Sequence, residues 1–432
     1  MIFFTSHFFG FVLLFYKEAN ASLGIFRMCI PIILAFYCAL YSGLWFFCIQ
    51  KTIIFFSHIN FSQKKLGKHS PLFSISLISM TLVFWTYLYI NWIRYGVFWI
   101  FGEFVGYPFA YPLLPLMQNS ASADLLIYTN KSILLFLLIL FSLNVALFFV
   151  YHKKKYIAFA FMCALPFLLS FLRNIIPKRP VFNNPTHQIT SPITKHTGYI
   201  SPISIQSFDH PLDSAQEIYY QMVKLANKNP QVTIIFMPES SYPFCLNQNQ
   251  DVIDLWCVNI LDDKIDLFIG APYKENKKLY NALYWISRGK IKKIYKKTRL
   301  MAFAEYAPRF WKKFSYFRSL FSHNGCLFSH GQDQNLVFEL YNGVNGSKSI
   351  KLKPLICSDF FMGRRKELKK IPRWDCSCVI IAVNDAIFPM GYLRNLMFLY
   401  AKLEAMAKKR DLLYVGYYFA SWISKNGTSV HI

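Results

Sequence analysis

The sequence predicts an α-helical membrane bundle of several spans, followed by a layered α/β domain. Upstream of about residue 176 the chain contains long apolar runs that are nearly free of charge, and downstream of it charged and turn-forming residues return at the density of a soluble domain. In this second part, short β-type runs alternate with helical ones. A chain of 432 residues is also longer than an average single domain, so we expect two units.

The apolar runs are long enough to cross a hydrocarbon layer of about 30 Å as helices. They predict five spans, of which the first is marginal because it is short, at residues 2–16, 28–50, 73–94, 132–151 and 156–175. The alternative is a set of buried helices in a large soluble core, which several such runs in series disfavour. A cleaved signal peptide fits poorly, because no basic stretch precedes Ile2 and further apolar runs follow.

Basic residues cluster between alternate spans and indicate the orientation. Residues 95–128, between the third and fourth spans, contain no lysine or arginine. Because short cytoplasmic loops are enriched in these residues, we expect the last span to run outward and to deliver the α/β domain outside. The basic clusters after the second and fourth spans are Lys51, Lys64, Lys65, Lys68, Lys153, Lys154 and Lys155.

The formal net charge of +25 on its own permits a nucleic-acid partner. Basic residues beside a bilayer meet anionic headgroups, so we expect a lipid bilayer as partner and no nucleic acid. The 10 cysteines form no CxxC pair and accompany no histidine-rich spacing, so we expect neither a metal nor a cofactor. Cys376 and Cys378 have strand spacing and are interpreted as small core residues, the alternative being a functional pair.

A proline-rich linker at 176–195 precedes the predicted α/β domain at 196–432. Alternating strands and helices with an inserted hairpin indicate a layered domain around a central mixed sheet. The predicted strands are 199–206, 232–237, 267–271, 335–341, 350–357, 378–384 and 412–419, the hairpin is 279–296, and the helices are 212–226 and 391–409.

Three strand ends carry residues suited to catalysis. Cys357 ends a strand and is followed by a polar turn, which would expose a nucleophile on a rigid backbone. Glu239 ends an apolar strand after Pro238, where apolar surroundings can raise a carboxyl pKa into the range of a general base. Lys297 follows the hairpin, with Glu305 eight residues on. Taken singly, Cys357 could be a buried core cysteine and Glu239 a solvated glutamate.

Together these motifs resemble the nitrilase superfamily, whose site combines Glu, Lys and Cys in that order on an α-β-β-α sandwich. Within it the match is closest to the apolipoprotein N-acyltransferase family, which places a membrane bundle before a nitrilase-like domain. The matching residues are Pro238 and Glu239, then Tyr295, Lys297, Leu300, Phe303 and Glu305, then Asn384, Asp385 and Ala386. Relative to that family the chain is divergent and shortened: for example, Ser358 and Asp359 replace an aromatic residue and a glutamate.

The resemblance implies Cys357 as nucleophile, Glu239 as general base and Lys297 as the cation that stabilises the oxyanion. Glu305, the Ser358 backbone N–H and Asn384 would support them. The implied reaction moves a fatty acyl chain from a phospholipid, through a thioester, to the N-terminal diacylglyceryl-cysteine of apolipoproteins. The implied location is the bacterial inner membrane, with the catalytic domain on the periplasmic side.

Two other functions fit the same sequence. A membrane-tethered amidase of the nitrilase superfamily would use the same three residues with water as the acceptor. An inactive membrane scaffold would bind its partners without catalysis. The retention of all three catalytic residue types favours an enzyme over the scaffold.

Overall fold

The computed structural model describes residues 154–175, 196–203, 205, 209–257, 265–301, 305–306, 328–332, 336–340, 350–361, 376–387 and 391–432, with isolated positions between 47 and 152. The chain divides into two compact units, and the described residues up to Ile175 belong to the first and those from His196 onward to the second. The linker at 176–195 and the domain limits beside it stay predictions.

The first unit is described mainly through helix α1 (Lys154–Ile175), which coincides with the fifth predicted span. In α1, Cys163 is buried against Leu140 and Phe141. No helix within the described ranges is both long enough and apolar enough to cross a bilayer. The other four predicted spans lie outside those ranges apart from isolated positions, so the membrane bundle stays a prediction.

The second unit alternates strands and helices, as predicted. Its described helices are α2 (Pro211–Lys228), α3 (Gln250–Cys257), α4 (Ser358–Phe361) and α5 (Gly391–Lys408). Its described strands are β1 (Thr197–Tyr199), β2 (Ile234–Phe236), β3 (Asp266–Glu275), β4 (Lys278–Ser287), β5 (Lys290–Lys296), β6 (Phe338–Leu340), β7 (Ile350–Ile356), β8 (Cys378–Ala382), β9 (Leu412–Val415), β10 (Ala420–Ile423) and β11 (Ser429–His431).

These strands form two mixed sheets, as the resemblance to the nitrilase superfamily implies, and not the single central sheet that the alternation of strands and helices indicated. The first has the order β1-β2-β3-β4-β5, and the second has the order β11-β10-β9-β8-β7-β6. In each sheet three neighbouring strands are parallel, β1 to β3 and β7 to β9, and the others pair antiparallel. Apolar alternation identifies a strand, but the sheet it joins is decided by pairing over long sequence separations.

Helix α2 illustrates how local sequence and packing agree. The His210 side chain accepts a hydrogen bond from the Leu212 N–H at 3.3 Å, and proline occupies the first helical position, where no N–H is needed. Its buried residues recur at helical spacing as Ser214, Ala215, Ile218 and Met222. That face packs on the first sheet.

The two faces of the first sheet have different partners because successive strand residues point in opposite directions. Ile235 and Leu267 belong to the core shared with α2 and α3. Phe236 and Phe268 point the other way and stack at 4.9 Å between ring centroids, and Phe268 meets Phe338 of the second sheet at 5.6 Å. The two sheets therefore pack face to face.

Helix α5 covers the other side of the second sheet. The Phe398 ring lies 5.6 Å from Tyr414 of β9 and 5.3 Å from Phe419, measured between centroids. The layers of the second unit are therefore helix, sheet, sheet and helix, the predicted α-β-β-α order.

Most of the predicted helices and strands are present, although several begin or end at other residues than predicted. Both helices and the hairpin occur nearly as predicted. The strand predicted at 199–206 is wrong in position, because β1 ends at Tyr199. The strand predicted at 412–419 stops at Val415, where the Gly416 N–H donates to the Phe419 carbonyl at 3.0 Å and turns the chain into β10. Strands β10 and β11 were not predicted.

Candidate active site

Cys357 occupies the junction between β7 and α4. Its backbone φ is +40°, in the left-handed region that L side chains rarely adopt, and such outliers concentrate at functional sites. The Cys357 N–H donates to the Ala382 carbonyl of β8 at 2.8 Å. The Cys357 carbonyl accepts from Phe360 and Phe361 at 3.0 and 3.1 Å. The second sheet and the short helix together fix this turn.

Glu239 lies just beyond the end of β2 and is buried, with only 4% of the residue exposed. Its Oε1 accepts from the Asn281 Nδ2 at 2.7 Å and from the Lys297 Nζ at 2.6 Å. Its Oε2 accepts from the Asn384 backbone N–H at 2.9 Å. Both carboxylate oxygens therefore accept hydrogen bonds: Oε1 from residues of the first sheet, and Oε2 from the segment that follows β8 of the second.

Lys297 follows β5 directly and is 1% exposed. Its Nζ lies 2.6 Å from the Glu239 Oε1 and 2.9 Å from the Glu305 Oε2. Burial disfavours the charged ammonium, but the two carboxylates outweigh that effect and raise the pKa of Lys297. The lysine is therefore a permanent cation in the site.

Glu305 completes this buried ion cluster. Its Oε1 accepts from the Asn281 Nδ2 at 2.6 Å, and its Oε2 accepts from the Met301 N–H at 2.7 Å. Burial raises the pKa of Glu305, while Lys297 opposes that shift and Glu239 adds to it. A carboxyl in such surroundings binds its proton more readily than one in water.

Cys357 is buried, at 7% exposure, and its thiol lies close enough to Glu239, Lys297 and Glu305 for their charges to act on it. Burial is the main cause that raises the pKa of this thiol well above its ordinary value, followed by the negative charge of Glu239, with Lys297 acting in the opposite direction. The resting form is therefore a neutral thiol, and a reaction at sulfur requires a proton acceptor. Glu239 is the carboxylate whose charge acts most strongly on this thiol, so it is the candidate acceptor.

The structure brings together every site residue predicted from the sequence, although it does not test their roles. Glu239, Lys297, Glu305 and Cys357 form one cluster, and Asn384 reaches it through its backbone. Ser358 begins α4, and its Oγ donates to the carbonyl of Arg299, two residues after Lys297. The first N–H groups of a helix have no acceptor within the helix, so the Ser358 N–H suits an oxyanion.

Two site residues were missed from the sequence. The Asn281 amide donates to both carboxylates, and the Asn281 carbonyl accepts from the Lys297 N–H at 2.8 Å. A lone asparagine within an apolar strand is a usable signal, because a buried polar side chain needs partners.

Asp359 is the second missed residue, since the sequence identified it only as a departure from the family pattern. Its carboxylate accepts from the Tyr295 hydroxyl at 3.0 Å, from Thr298 Oγ1 at 2.8 Å and from the Arg299 N–H at 2.7 Å. Burial raises the pKa of Asp359 against the effect of Lys297 and these hydrogen bonds. Asp359 therefore joins the segment after Lys297 to the turn that carries Cys357.

No group of three or more histidine, cysteine, aspartate or glutamate side chains that could hold a metal occurs among the residues described. Cys376 is half-buried and Cys378 is buried, and neither is part of a disulfide. The geometry thus defines a buried site with a thiol, an adjacent carboxylate and an ammonium, which is suited to acyl transfer through a covalent thioester.

Sequence comparison gives two relatives. Over 208 residues the chain is 32% identical to an apolipoprotein N-acyltransferase of Rhizobium rhizogenes, and this stretch covers 43% of the chain and 34% of that protein. Over 114 residues it is 32% identical to apolipoprotein N-acyltransferase 2 of Treponema denticola, covering 25% and 21% respectively. The chain thus matches about a fifth to a third of the length of these curated relatives. No family model matches it.

Solved structures give matches with low scores. A carbon-nitrogen hydrolase of Helicobacter pylori matches with a TM-score of 0.37 at 10% identity, covering 52% of this chain and 81% of that one. Nit3 of Saccharomyces cerevisiae, of the nitrilase superfamily, matches with a TM-score of 0.35 at 14% identity, covering 51% and 80%.

The layers and the clustered Glu, Lys and Cys side chains define a nitrilase-like α/β domain. The resemblance to apolipoprotein N-acyltransferases, predicted from the motifs, is confirmed by the two sequence matches.

Proposed function

We propose that this chain is an N-acyltransferase that moves a fatty acyl chain from a phospholipid to the N-terminal diacylglyceryl-cysteine of apolipoproteins. The observation that carries the proposal is the cluster of the Cys357 thiol with Glu239 and Lys297, whose charges both act on the pKa of the thiol and whose side chains lie 2.6 Å apart. A buried nucleophile, a base and a cation in one cluster are the groups that acyl transfer needs.

In the first half-reaction, Glu239 takes the thiol proton while the Cys357 sulfur attacks the ester carbonyl carbon of the phospholipid. The Lys297 ammonium, which has three N–H donors and contacts two carboxylates, and the Ser358 N–H are the donors proposed for the oxyanion. When the tetrahedral intermediate collapses, the carbon–oxygen bond breaks, Glu239 returns the proton to the leaving oxygen, and a lysophospholipid departs.

In the second half-reaction, the α-amine of the diacylglyceryl-cysteine attacks the thioester carbonyl. Glu239 accepts a proton from the attacking nitrogen, the carbon–sulfur bond breaks, and the thiolate of Cys357 regains a proton. The product is an amide, and the enzyme returns to its starting state. Glu305 and Asn281 would hold Lys297 and Glu239 in register through both halves.

The membrane setting is part of the proposal. Both substrates are lipids, so a site held beside a bilayer gains from proximity. Large apolar side chains of α1 are exposed, among them Phe161 at 64% and Met162 at 62%, and such surfaces suit contact with lipid or with another apolar helix. We propose the bacterial inner membrane with the α/β domain on its periplasmic side.

The proposal is tested by mass spectrometry of the peptide that contains Cys357, after incubation of the full chain with phospholipid vesicles. We expect a fatty acyl thioester on Cys357, and its transfer when a diacylglyceryl peptide is added. Cys357→Ala should abolish both steps. Cys378→Ala, which alters another buried thiol, in β8, should retain them.

Other results would point elsewhere. A short polar acyl group on Cys357, released to water, would replace acyl transfer by amide hydrolysis. A wild-type chain that never acylates Cys357 and whose thiol does not react with small alkylating reagents would be an inactive scaffold. N-acylation that persisted in Cys357→Ala would exclude this cysteine as the nucleophile.

A further inference from the structure

We infer that Asp385 and Tyr417 form a positioning pair that holds Glu239 in place for proton transfer from Cys357. This inference rests on the proposed role of Glu239 as the base. Neither residue belongs to the cluster of Glu239, Lys297, Glu305 and Cys357. Both are fully buried, at 0% exposure, and they come from separate segments of the second sheet.

Asp385 follows β8 and fixes the turn between β9 and β10. Its Oδ1 accepts from the Tyr417 N–H at 2.6 Å, and its Oδ2 accepts from the Tyr414 hydroxyl at 3.3 Å. Gly416 permits this approach, since a Cβ at that position would lie 2.5 Å from the Asp385 Oδ2. A buried carboxylate must have its acceptors satisfied, and here the partners are groups of one turn.

Tyr417 connects Asp385 to the segment that contains Glu239. Its hydroxyl donates to the Ser240 carbonyl at 2.8 Å, across 177 positions of sequence. Ser240 has a backbone φ of +56°, in the left-handed region. A non-glycine residue persists in that region only where its surroundings hold it. The Tyr417 hydroxyl is one such constraint, and it acts on the residue next to Glu239.

The same segment also contacts Glu239 directly. Asn384, the neighbour of Asp385, donates its backbone N–H to the Glu239 Oε2 at 2.9 Å. Asp385 is therefore linked to Glu239 in two ways. Its neighbour Asn384 binds the Glu239 carboxylate, and its partner Tyr417 binds the backbone next to Glu239. Because Asp385 and Tyr417 are argued to act through Glu239 and its neighbours, we describe them as positioning residues.

The turn is also tied to the first sheet. The Tyr199 hydroxyl donates to the Gly416 carbonyl, and the Ser201 Oγ donates to the Tyr417 carbonyl, both at 2.7 Å. The turn between β9 and β10 is thus held from both sheets before it reaches Ser240. Such a support has little freedom to follow Glu239 if the base moves, which is the property that a positioning element needs.

The test measures how fast iodoacetamide alkylates Cys357 in the full-length protein, quantified on the Cys357 peptide so that other cysteines do not interfere. Tyr417→Phe removes only the hydroxyl that reaches Ser240, and we expect it to slow alkylation roughly tenfold, because small misplacements of catalytic groups have large kinetic effects. Tyr284→Phe is the matched control: Tyr284 is also 0% exposed, belongs to the core shared with α2 and α3, and donates to the Pro272 carbonyl at 2.9 Å.

Both variants lose one buried hydroxyl-to-carbonyl bond, so their melting temperatures should fall by similar amounts, while only Tyr417→Phe should slow alkylation. Asp385→Asn, which retains an oxygen acceptor for the Tyr417 N–H, should react nearly as fast as the unmodified protein. Asp385→Ala should be as slow as Tyr417→Phe. This rescue by the conservative variant would not follow from a loss of stability alone.

Equal alkylation rates in Tyr417→Phe and Tyr284→Phe would overturn the inference. The inference would also be overturned if Cys357 of the protein without substitutions did not react with iodoacetamide, since there would then be no activated thiol whose base needs positioning. If alkylation depends on the pair but no lipid acyl group is ever transferred, the positioning role stands and the proposed N-acyltransfer fails. The two proposals are therefore separable in one set of samples.

Discussion

Lys296 and Lys297 are adjacent residues with opposite environments. The Lys296 Nζ pairs with the Glu275 Oε2 at 2.7 Å near the surface, with side-chain exposures of 21% and 41%. The Lys297 side chain is 2% exposed and lies between two buried carboxylates. Successive strand residues point to opposite faces, so the adjacent lysines Lys296 and Lys297 have two different structural roles.

We predict that Lys297→Met lowers the free energy of unfolding by about 3–5 kcal/mol, because it leaves two buried carboxylates without their cation. Lys296→Met should have a far smaller effect, since exposed ion pairs contribute little. Denaturant unfolding of the full chain, followed by tryptophan fluorescence, would measure both. Similar losses in the two variants would contradict the role assigned to the buried cluster.

The sequence predicted the residues at strand ends better than those that support them. Glu239 and Cys357 each end an apolar run, and Lys297 directly follows the second strand of a hairpin, which are local patterns. Asn281 and Asp359 join the site only through hydrogen-bond partners many residues away, such as Thr298 for Asp359. The sequence near each residue does not indicate these partners.

At the scale of elements, the segment that follows β2 lies unusually close to the middle of β3. A Cβ on Gly270 of β3 would lie 2.4 Å from the Pro238 carbonyl oxygen and 2.7 Å from the Glu239 Cα. These are backbone atoms, which cannot move aside as a flexible side chain can. The strand therefore needs glycine at this position in order to bring the segment with Glu239 into the site.

We predict that Gly270→Ala displaces Glu239 and slows thioester formation on Cys357 by roughly 100-fold, since misplacements on the order of 1 Å can have that effect. Gly289→Asn is the control: Gly289 lies in the turn between β4 and β5 with φ +69°, a conformation that asparagine tolerates. Thioester yield over time would be measured by mass spectrometry. A Gly270→Ala protein as fast as the control would exclude this constraint.

Element prediction succeeded where the pattern was local and failed where it was not. The hairpin of β4 and β5 was predicted nearly to the residue because its turn and its alternation are contiguous. Strand β3 was predicted only as 267–271, because its second half, through Glu275, extends as a partner of the β4 arm. The division into two sheets depends on strand order, which no single segment encodes.

At the scale of the whole molecule, the proposed membrane bundle predicts how the chain fractionates. We expect the full-length protein to stay in the membrane pellet after alkaline carbonate extraction, because inserted apolar helices do not depend on surface charge. A peripheral protein held by its basic residues is the control and should be released. Release of this chain into the supernatant would contradict the proposed bundle.

The stability of the whole protein should also depend on pH through Asp385. Burial raises the pKa of Asp385 above its ordinary 3.8, against hydrogen bonds from Tyr417 and Tyr414 and the charge of Arg394. Between 3.8 and that raised value the folded chain binds more protons than the unfolded one, so this carboxyl makes stability fall as pH rises through the window.

Asp385→Asn removes this titration. We therefore predict that the melting temperature of the Asn variant gains on that of the unmodified protein as pH rises from 3.8, and that the difference becomes constant above the raised pKa. Thermal unfolding of both proteins across the same buffers measures the difference. Parallel curves, or a difference of opposite sign, would show that Asp385 does not titrate in this way.

The site is divided between the two sheets. Glu239, Asn281 and Lys297 come from the first, and Cys357 and Asn384 come from the second. Neither half alone contains both the sulfur and its proton acceptor. During synthesis, a nascent chain with only one sheet formed would therefore be chemically harmless to surrounding lipids, and reactivity would begin only when the halves close on each other.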